Sequence, residues 1–182
     1  MKIVSVFGGS APKPASEPYV EAVAMGRFLA EAGYTVATGG YTGVMEGASR
    51  GAAEAGGHVI GVTCGLIENW REGFCANTWV KEEIKFDTLR DRLYHLVSFC
   101  DAAVALGGGI GTLSEVSLMW SLIQTGELSR RPLVLVGPVW RDTFRSFLAR
   151  ANGYVPERDR KLLLFAEKVD EVVTILSTHK HE

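Results

Sequence analysis

The sequence predicts one doubly wound α/β domain, a mostly parallel sheet of about 6–7 strands with helices on both faces. Short apolar, β-branched runs alternate with longer amphipathic segments, as successive βα units require. The strand runs are apolar throughout rather than alternating, as strands covered on both faces are. Several of these runs end in glycine clusters, which suit tight turns from strand to helix. With 182 residues, 47% of them hydrophobic and 22% charged, the chain is long enough to bury a sizeable core. We assign residues 1–177 to a single domain and 178–182 to a polar tail.

In chain order, Ile3 to Phe7 reads as the first strand and Glu17 to Ala32 as a helix. Tyr34 to Thr38 is a second strand, Gly43 to Ala55 a helix, and His58 to Val62 a third strand. Residues 63–79 read as irregular, with Trp70, Phe74 and Trp79 among polar neighbours. A short strand over Val80 to Phe86, a helix over Thr88 to Phe99 and a strand over Asp101 to Leu106 follow. The helix after that is expected from Thr112 to Gln124, then a strand at Pro132 to Val136 and a helix near Arg141 to Ala151. Leu162 to Phe165 and Glu167 to Leu176 complete the pattern as strand and helix. Together these elements make a Rossmann-like domain, in which ligands bind beyond the C-terminal ends of the strands near the point where strand order reverses.

A formal net charge of −2 leaves no global field for nucleic acid or an anionic membrane. No run of apolar residues is long enough to span a bilayer, and Met1 to Phe7 lacks the features of a signal peptide, so a cytoplasmic, soluble protein is expected. Cys64, Cys75 and Cys100 fit neither a disulfide framework nor a zinc site, no cluster has metal-ligand spacing, and neither metal nor cofactor is expected.

The glycine loops are Gly8-Gly9-Ser10, Gly39-Gly40-Tyr41-Thr42-Gly43, and Gly107-Gly108-Gly109-Ile110-Gly111-Thr112. All three follow parallel strands and should lie along one edge of the sheet. A helix begins after the second and third, so free amides and the positive end of a helix dipole point at the same place, an anion site suited to phosphate. No Lys-Ser or Lys-Thr completes a triphosphate loop, and no acidic residue is placed for a dinucleotide ribose.

Thr112-Leu113-Ser114-Glu115 has the spacing of a helix capping box. The same spacing puts a carboxylate in the first helical turn, near any sugar attached to a bound phosphate. There it could bind ribose hydroxyls, orient a water, or stabilise positive charge on C1′ as a glycosidic bond breaks. Arg90 and Arg92 precede the Asp101 strand on a helix; two apart, they point in different directions, so at most one faces the pocket. Met119, Trp120, Leu122 and Ile123 make the helix after Glu115 apolar around much of its circumference, from internal packing or a dimer interface.

The segment from Arg92 to Glu115, with Gly107-Gly108-Gly109-Ile110-Gly111-Thr112-Leu113-Ser114-Glu115, resembles the Lonely Guy (LOG) family, whose motif is P-G-G-x-G-T-x-x-E preceded by an arginine helix. Gly39 to Glu46 resembles its second glycine loop and Gly8-Gly9-Ser10 its first, over roughly residues 1–140 in all. The resemblance implies a Rossmann-like homodimer that releases a base, typically an N6-modified adenine, from a nucleoside 5′-monophosphate. By it, Arg92 and Glu115 are the catalytic pair, Gly108, Gly109, Gly111 and Thr112 hold the phosphate, and Gly39, Gly40, Gly43 and Met45 line the cleft with Gly8, Gly9 and Ser10. Gly107, Ile110, Ser114, Leu93 and Glu46 depart from the family pattern and tilt the chain toward a branch that includes molybdenum-cofactor carriers. The reading is a phosphoribohydrolase, with a nucleotide- or molybdenum-cofactor-binding carrier as the alternative. A pyridoxal phosphate lysine decarboxylase is disfavoured, because none of the seven lysines lies in a glycine loop.

Overall fold

A computed structural model describes residues 2–70, 73–151 and 153–179. The strands are β1 (Ile3–Phe7), β2 (Thr35–Thr38), β3 (Val59–Cys64), β4 (Glu82–Phe86), β5 (Ala102–Ala105), β6 (Leu133–Val136) and β7 (Leu163–Ala166). They form one sheet in the order β4-β3-β2-β1-β5-β6-β7, and every neighbouring pair is parallel. The chain winds outward from β1 to β4, returns, and winds outward again from β5 to β7. The reversal lies between β1 and β5.

The helices are α1 (Glu17–Glu31), α2 (Val44–Glu54), α3 (Gly65–Trp70), α4 (Leu89–Ser98), α5 (Ile110–Thr125), α6 (Pro138–Arg150), α7 (Glu157–Arg160) and α8 (Val172–Thr178). Because successive side chains of a strand point to opposite faces, the sheet carries two cores. On one face Val4, Val6, Val36 and Val104 pack with Met25 and Leu29 of α1, Ala48 and Ala52 of α2 and Leu176 of α8. On the other, Phe7, Val62, Ala103 and Leu135 pack with Leu96 of α4, Met119 and Ile123 of α5 and Phe144 of α6.

Several boundaries differ from the sequence reading. Residues 65–70 form α3 rather than irregular chain, and β3 runs on to Cys64. Helix α6 starts at Pro138, where proline suits the first turn, instead of near Arg141. The last helix is divided into a 3-10 turn over Val169–Glu171 and α8, which keeps Thr178 in the helix; residues 180–182 of the expected tail lie outside the described residues. Trp120 stands edge-on to Phe144 at 5.7 Å, and its indole N–H donates to the Asp159 carbonyl at 2.8 Å. Among the described residues, no helix is long and apolar enough to cross a membrane.

Candidate functional site

The first and third glycine loops leave the sheet side by side at the reversal point. The Gly9 N–H donates to the Gly107 carbonyl at 3.0 Å, and the Leu106 N–H to the Phe7 carbonyl at 3.0 Å. The second loop is laid against the first. Val44 N–H donates to the Gly9 carbonyl at 2.9 Å, and the Thr42 hydroxyl to the Ser10 carbonyl at 3.1 Å. Gly8 backs directly onto the Val44 side chain. Gly43 enters α2 with φ +72° and ψ −132°, a region open in practice only to glycine, and a Cβ there would lie 2.5 Å from the Gly9 carbonyl oxygen. Gly40, also at positive φ, gives its carbonyl to the Asn77 backbone N–H at 2.8 Å.

The third loop is built differently. Helix α5 starts at Ile110 with Gly109 as its N-cap, and neither a capping side chain nor an acidic residue occupies its first turn. The expected start at Thr112 is therefore two residues late, and the capping box does not form. Thr112 is the third residue of the helix and is buried, with its hydroxyl oxygen beside Gly108. Glu115 falls in the second turn, not the first. The amides of Ile110, Gly111 and Thr112 belong to the unpaired first turn. Gly109 and Gly111 are exposed, with nothing within 4 Å of where a side chain would begin.

Helix α4 brings in the arginine. Thr88 caps it by accepting the Asp91 N–H at 3.2 Å, which fixes the phase of the first turn. Arg90 then lies in solvent beside Asp91, while Arg92 turns inward and is 5% exposed. Its Nε donates to the Val62 carbonyl at 2.8 Å and its Nη2 to the Gly39 carbonyl at 3.2 Å. These bonds tie the guanidinium to the ends of β3 and β2. Gly39 makes room for it, since a Cβ there would fall 2.1 Å from Nη2 and 2.5 Å from the Met45 sulfur. Arg92 Nη1 lies 3.9 Å from Glu115 Oε1, an ion-pair distance too long for a hydrogen bond.

Glu115 is 7% exposed, and Arg92 is its one charged neighbour among the described residues. Burial pushes its carboxyl from 4.5 up to about 7, with the Arg92 charge pulling the other way. A carboxyl in that range takes or gives a proton near neutral pH.

The sequence-predicted residues thus gather at one edge: Gly8, Gly9, Ser10, Gly39, Gly40, Gly43 and Met45 with Arg92, and Gly108, Gly109, Gly111 and Thr112 with Glu115. Sequence reasoning missed three neighbours. The Tyr41 ring lies 5.7 Å from the Arg92 guanidinium. Asn77 donates its side-chain amide to the Gly40 and Tyr41 carbonyls at 2.9 and 3.0 Å, fastening part of the segment read as irregular onto the second loop. Glu46, in the first turn of α2, accepts the Tyr19 hydroxyl at 3.2 Å. Nothing in local spacing marks Asn77, whereas Tyr41 and Glu46 lie in and beside a glycine loop.

The SLOG cluster4 family model matches residues 1–135. The cytokinin riboside 5′-monophosphate phosphoribohydrolase LOG of Oryza sativa is 28% identical, over 98% of this chain and 74% of its own length. The cytokinin riboside 5′-monophosphate phosphoribohydrolase of Mycobacterium tuberculosis is 29% identical, over 93% of this chain and 90% of its own. Among solved structures, the molybdenum cofactor binding protein of Rippkaea orientalis superposes with a TM-score of 0.74 at 25% identity, covering 97% of this chain and 96% of its own.

Proposed function

The chain belongs to the LOG-type SLOG cluster4 family, and from that premise we propose that it is a nucleoside 5′-monophosphate phosphoribohydrolase acting on AMP or an N6-modified AMP. The observation that carries the reading is Glu115, buried, paired with Arg92 and one turn beyond the open amides that begin α5. In this reading the phosphate sits at those amides and its ribose faces the Glu115 carboxyl.

The two glycine loops that lead into helices are not equivalent as anion sites. The amide that begins α2 is already spent on the Gly9 carbonyl, and Glu46 puts negative charge in the same turn. Of the two helices that begin at a glycine loop, α5 is the one with no acidic residue in its first turn, which favours a phosphate there.

In the reaction, the bond between C1′ and the base nitrogen breaks and its electron pair leaves with the base. Charge builds on C1′ and the ring oxygen, and the ionised Glu115 stabilises it. Water adds its oxygen to C1′ and gives a proton to Glu115. The protonated carboxyl then returns that proton to solvent or to the departing base, so that water's atoms are divided between ribose 5-phosphate and free base. Arg92, with two of its nitrogens held by carbonyls, turns Nη1 toward Glu115, and its charge favours the ionised carboxyl against the effect of burial.

A second reading has its own support. The Rippkaea protein, matched over nearly its full length, is a molybdenum cofactor binding protein, and the open amides that begin α5 suit an anionic group of such a cofactor as well as that of a nucleotide. The deciding experiment incubates the protein with AMP, N6-isopentenyl-AMP and the other nucleoside monophosphates and separates base from ribose 5-phosphate. Base release by the wild type that vanishes in Glu115→Ala, with nucleotide still bound, is the expected result. No release from any nucleotide, with a nucleotide still raising the melting temperature, transfers the site to the carrier reading.

A further inference from the structure

We infer that Tyr41 is a positioning residue, whose ring holds the Arg92 guanidinium so that Nη1 faces Glu115. The inference rests on the phosphoribohydrolase reading for its consequence in catalysis, and on geometry alone for the positioning itself.

Tyr41 is 2% exposed and occupies the middle of the second glycine loop. Its ring centroid lies 5.7 Å from the Arg92 guanidinium carbon, within reach of a cation–π attraction that strengthens when water is excluded. Its hydroxyl accepts the Cys64 N–H at 2.7 Å and donates to the Cys64 carbonyl at 3.1 Å, with the Glu68 carboxylate a second, longer acceptor. Phe74 packs against the ring at 4.8 Å, and Asn77 holds the Tyr41 carbonyl. The ring therefore has little freedom.

The anchors of Tyr41 and Arg92 are shared. Arg92 is tied to the Val62 carbonyl and Tyr41 to Cys64, two residues on along the same strand end. Arg92 is also tied to the Gly39 carbonyl, two residues before Tyr41 in the chain. Carbonyls at two strand ends fix two edges of the planar guanidinium and the ring restrains it from another side, so Nη1 is directed at Glu115. Among the described residues, the charged and titratable groups around this arrangement are Arg92 from α4, Glu115 from α5, the Cys64 thiol of β3, and Glu68 of α3, whose carboxylate lies 3.5 Å from the Tyr41 hydroxyl. Burial pushes the Tyr41 phenol up to about 12, so it stays neutral and acts by shape and ring charge distribution alone.

Two variants separate ring from hydroxyl: Tyr41→Leu removes the ring, and Tyr41→Phe keeps it. Two NMR readouts on the full chain need no substrate: exchange of the Arg92 Nε–H with solvent, and titration of the Glu115 carboxyl, assigned with Glu115→Gln. In Tyr41→Leu we expect Arg92 Nε–H exchange to quicken at least tenfold beyond any change in the core amides. We expect the Glu115 midpoint to rise by half a pH unit or more, in the same direction as in Arg92→Met, because the opposing charge has moved away. On an active enzyme, kcat falls at least tenfold while KM changes less than threefold, and Tyr41→Phe restores most of the loss. Should the leucine variant fail to fold, Tyr41→Met serves the same comparison.

An unchanged Arg92 signal and Glu115 midpoint overturn the inference, as does a fall in the midpoint, which would make Tyr41 a shield against water only. Failure of the function reading looks different: no base is released from any nucleotide, yet the NMR changes in Tyr41→Leu still appear.

Discussion

Two glycine loops in this chain have the same outline in sequence and opposite construction in space. The loop that enters α2 is closed: its first amide is bonded to the Gly9 carbonyl, Gly43 is pressed on Ser10, and Glu46 stands in the first turn. The loop that enters α5 is open, with exposed glycines and no acidic or capping side chain. Glycine serves packing in the first and access in the second. A glycine-rich βα turn is thus evidence of a ligand only when its amides are left over after the protein's own bonds are made.

The largest effect expected from this contrast is at Gly43. A Cβ added there meets backbone atoms of Gly9 and Ser10, which cannot rotate away, and the backbone angles exclude other residues. Gly43→Ala should cost about 3 kcal/mol or more, a fall in melting temperature on the order of 10 °C for a chain this size. A thermal melt of the variant within about 2 °C of wild type would break the closed half of the comparison.

The next concerns the carboxyl that the open loop leads to. Its folded midpoint of about 7 stands above the ordinary 4.5, so between these pH values the folded chain keeps a proton that the unfolded chain has lost. Stability from this group is therefore full below about 4.5, falls as pH rises to about 7, and is level above that. At about 1.4 kcal/mol per pH unit the loss amounts to roughly 3 kcal/mol at most. Glu115→Gln removes that slope, so urea melts should show the variant more stable than wild type at pH 8 and similar to it at pH 4. Parallel stability curves for the two proteins across that range would show that Glu115 is not desolvated as described.

How far the sequence disclosed this arrangement depended on the range of the forces involved. The strands were legible because β5 and β6 are covered on both faces and read as uninterrupted apolar runs. Helix α3 was not, since six residues with none of them buried leave no periodic stripe to read. The start of α5 was misplaced because Thr112 and Glu115 mimic a capping box, whereas Gly109 and Ile110 had already begun the helix. Spacing showed that only one of Arg90 and Arg92 could face inward; the carbonyls of Val62 and Gly39, 30 and 53 residues away in sequence, decide which one is held there. Tyr41 shows no role in sequence, because its partners at Cys64 and Arg92 meet it only in three dimensions.

At Gly111 the open loop makes the reverse prediction from Gly43. A Cβ there enters empty space in the second position of a helix, where alanine is favoured over glycine by up to about 1 kcal/mol. Gly111→Ala should therefore leave stability unchanged or slightly raised, while the methyl crowds a phosphate held by the neighbouring amides. Isothermal titration with AMP should give an affinity at least about tenfold weaker, near 1.4 kcal/mol. Stability lost with affinity kept would reverse the roles assigned to the two loops.

The smallest effect is expected at Glu46. Its carboxylate stands in the first turn of α2, where negative charge favours the helix by about 0.5 kcal/mol, and it accepts the Tyr19 hydroxyl. Glu46→Gln removes the charge and keeps an acceptor for Tyr19, so melting temperature should drop by only about 1–2 °C. The closed loop remains closed, because the bond from Val44 to Gly9 does not involve this side chain. Affinity for AMP should accordingly stay within about twofold, and a diphosphate should gain no more than a monophosphate does, since both changes would lie below about 0.4 kcal/mol. A selective gain for the diphosphate would mean that charge, and not the spent amide, is what keeps a second phosphate from the α2 end.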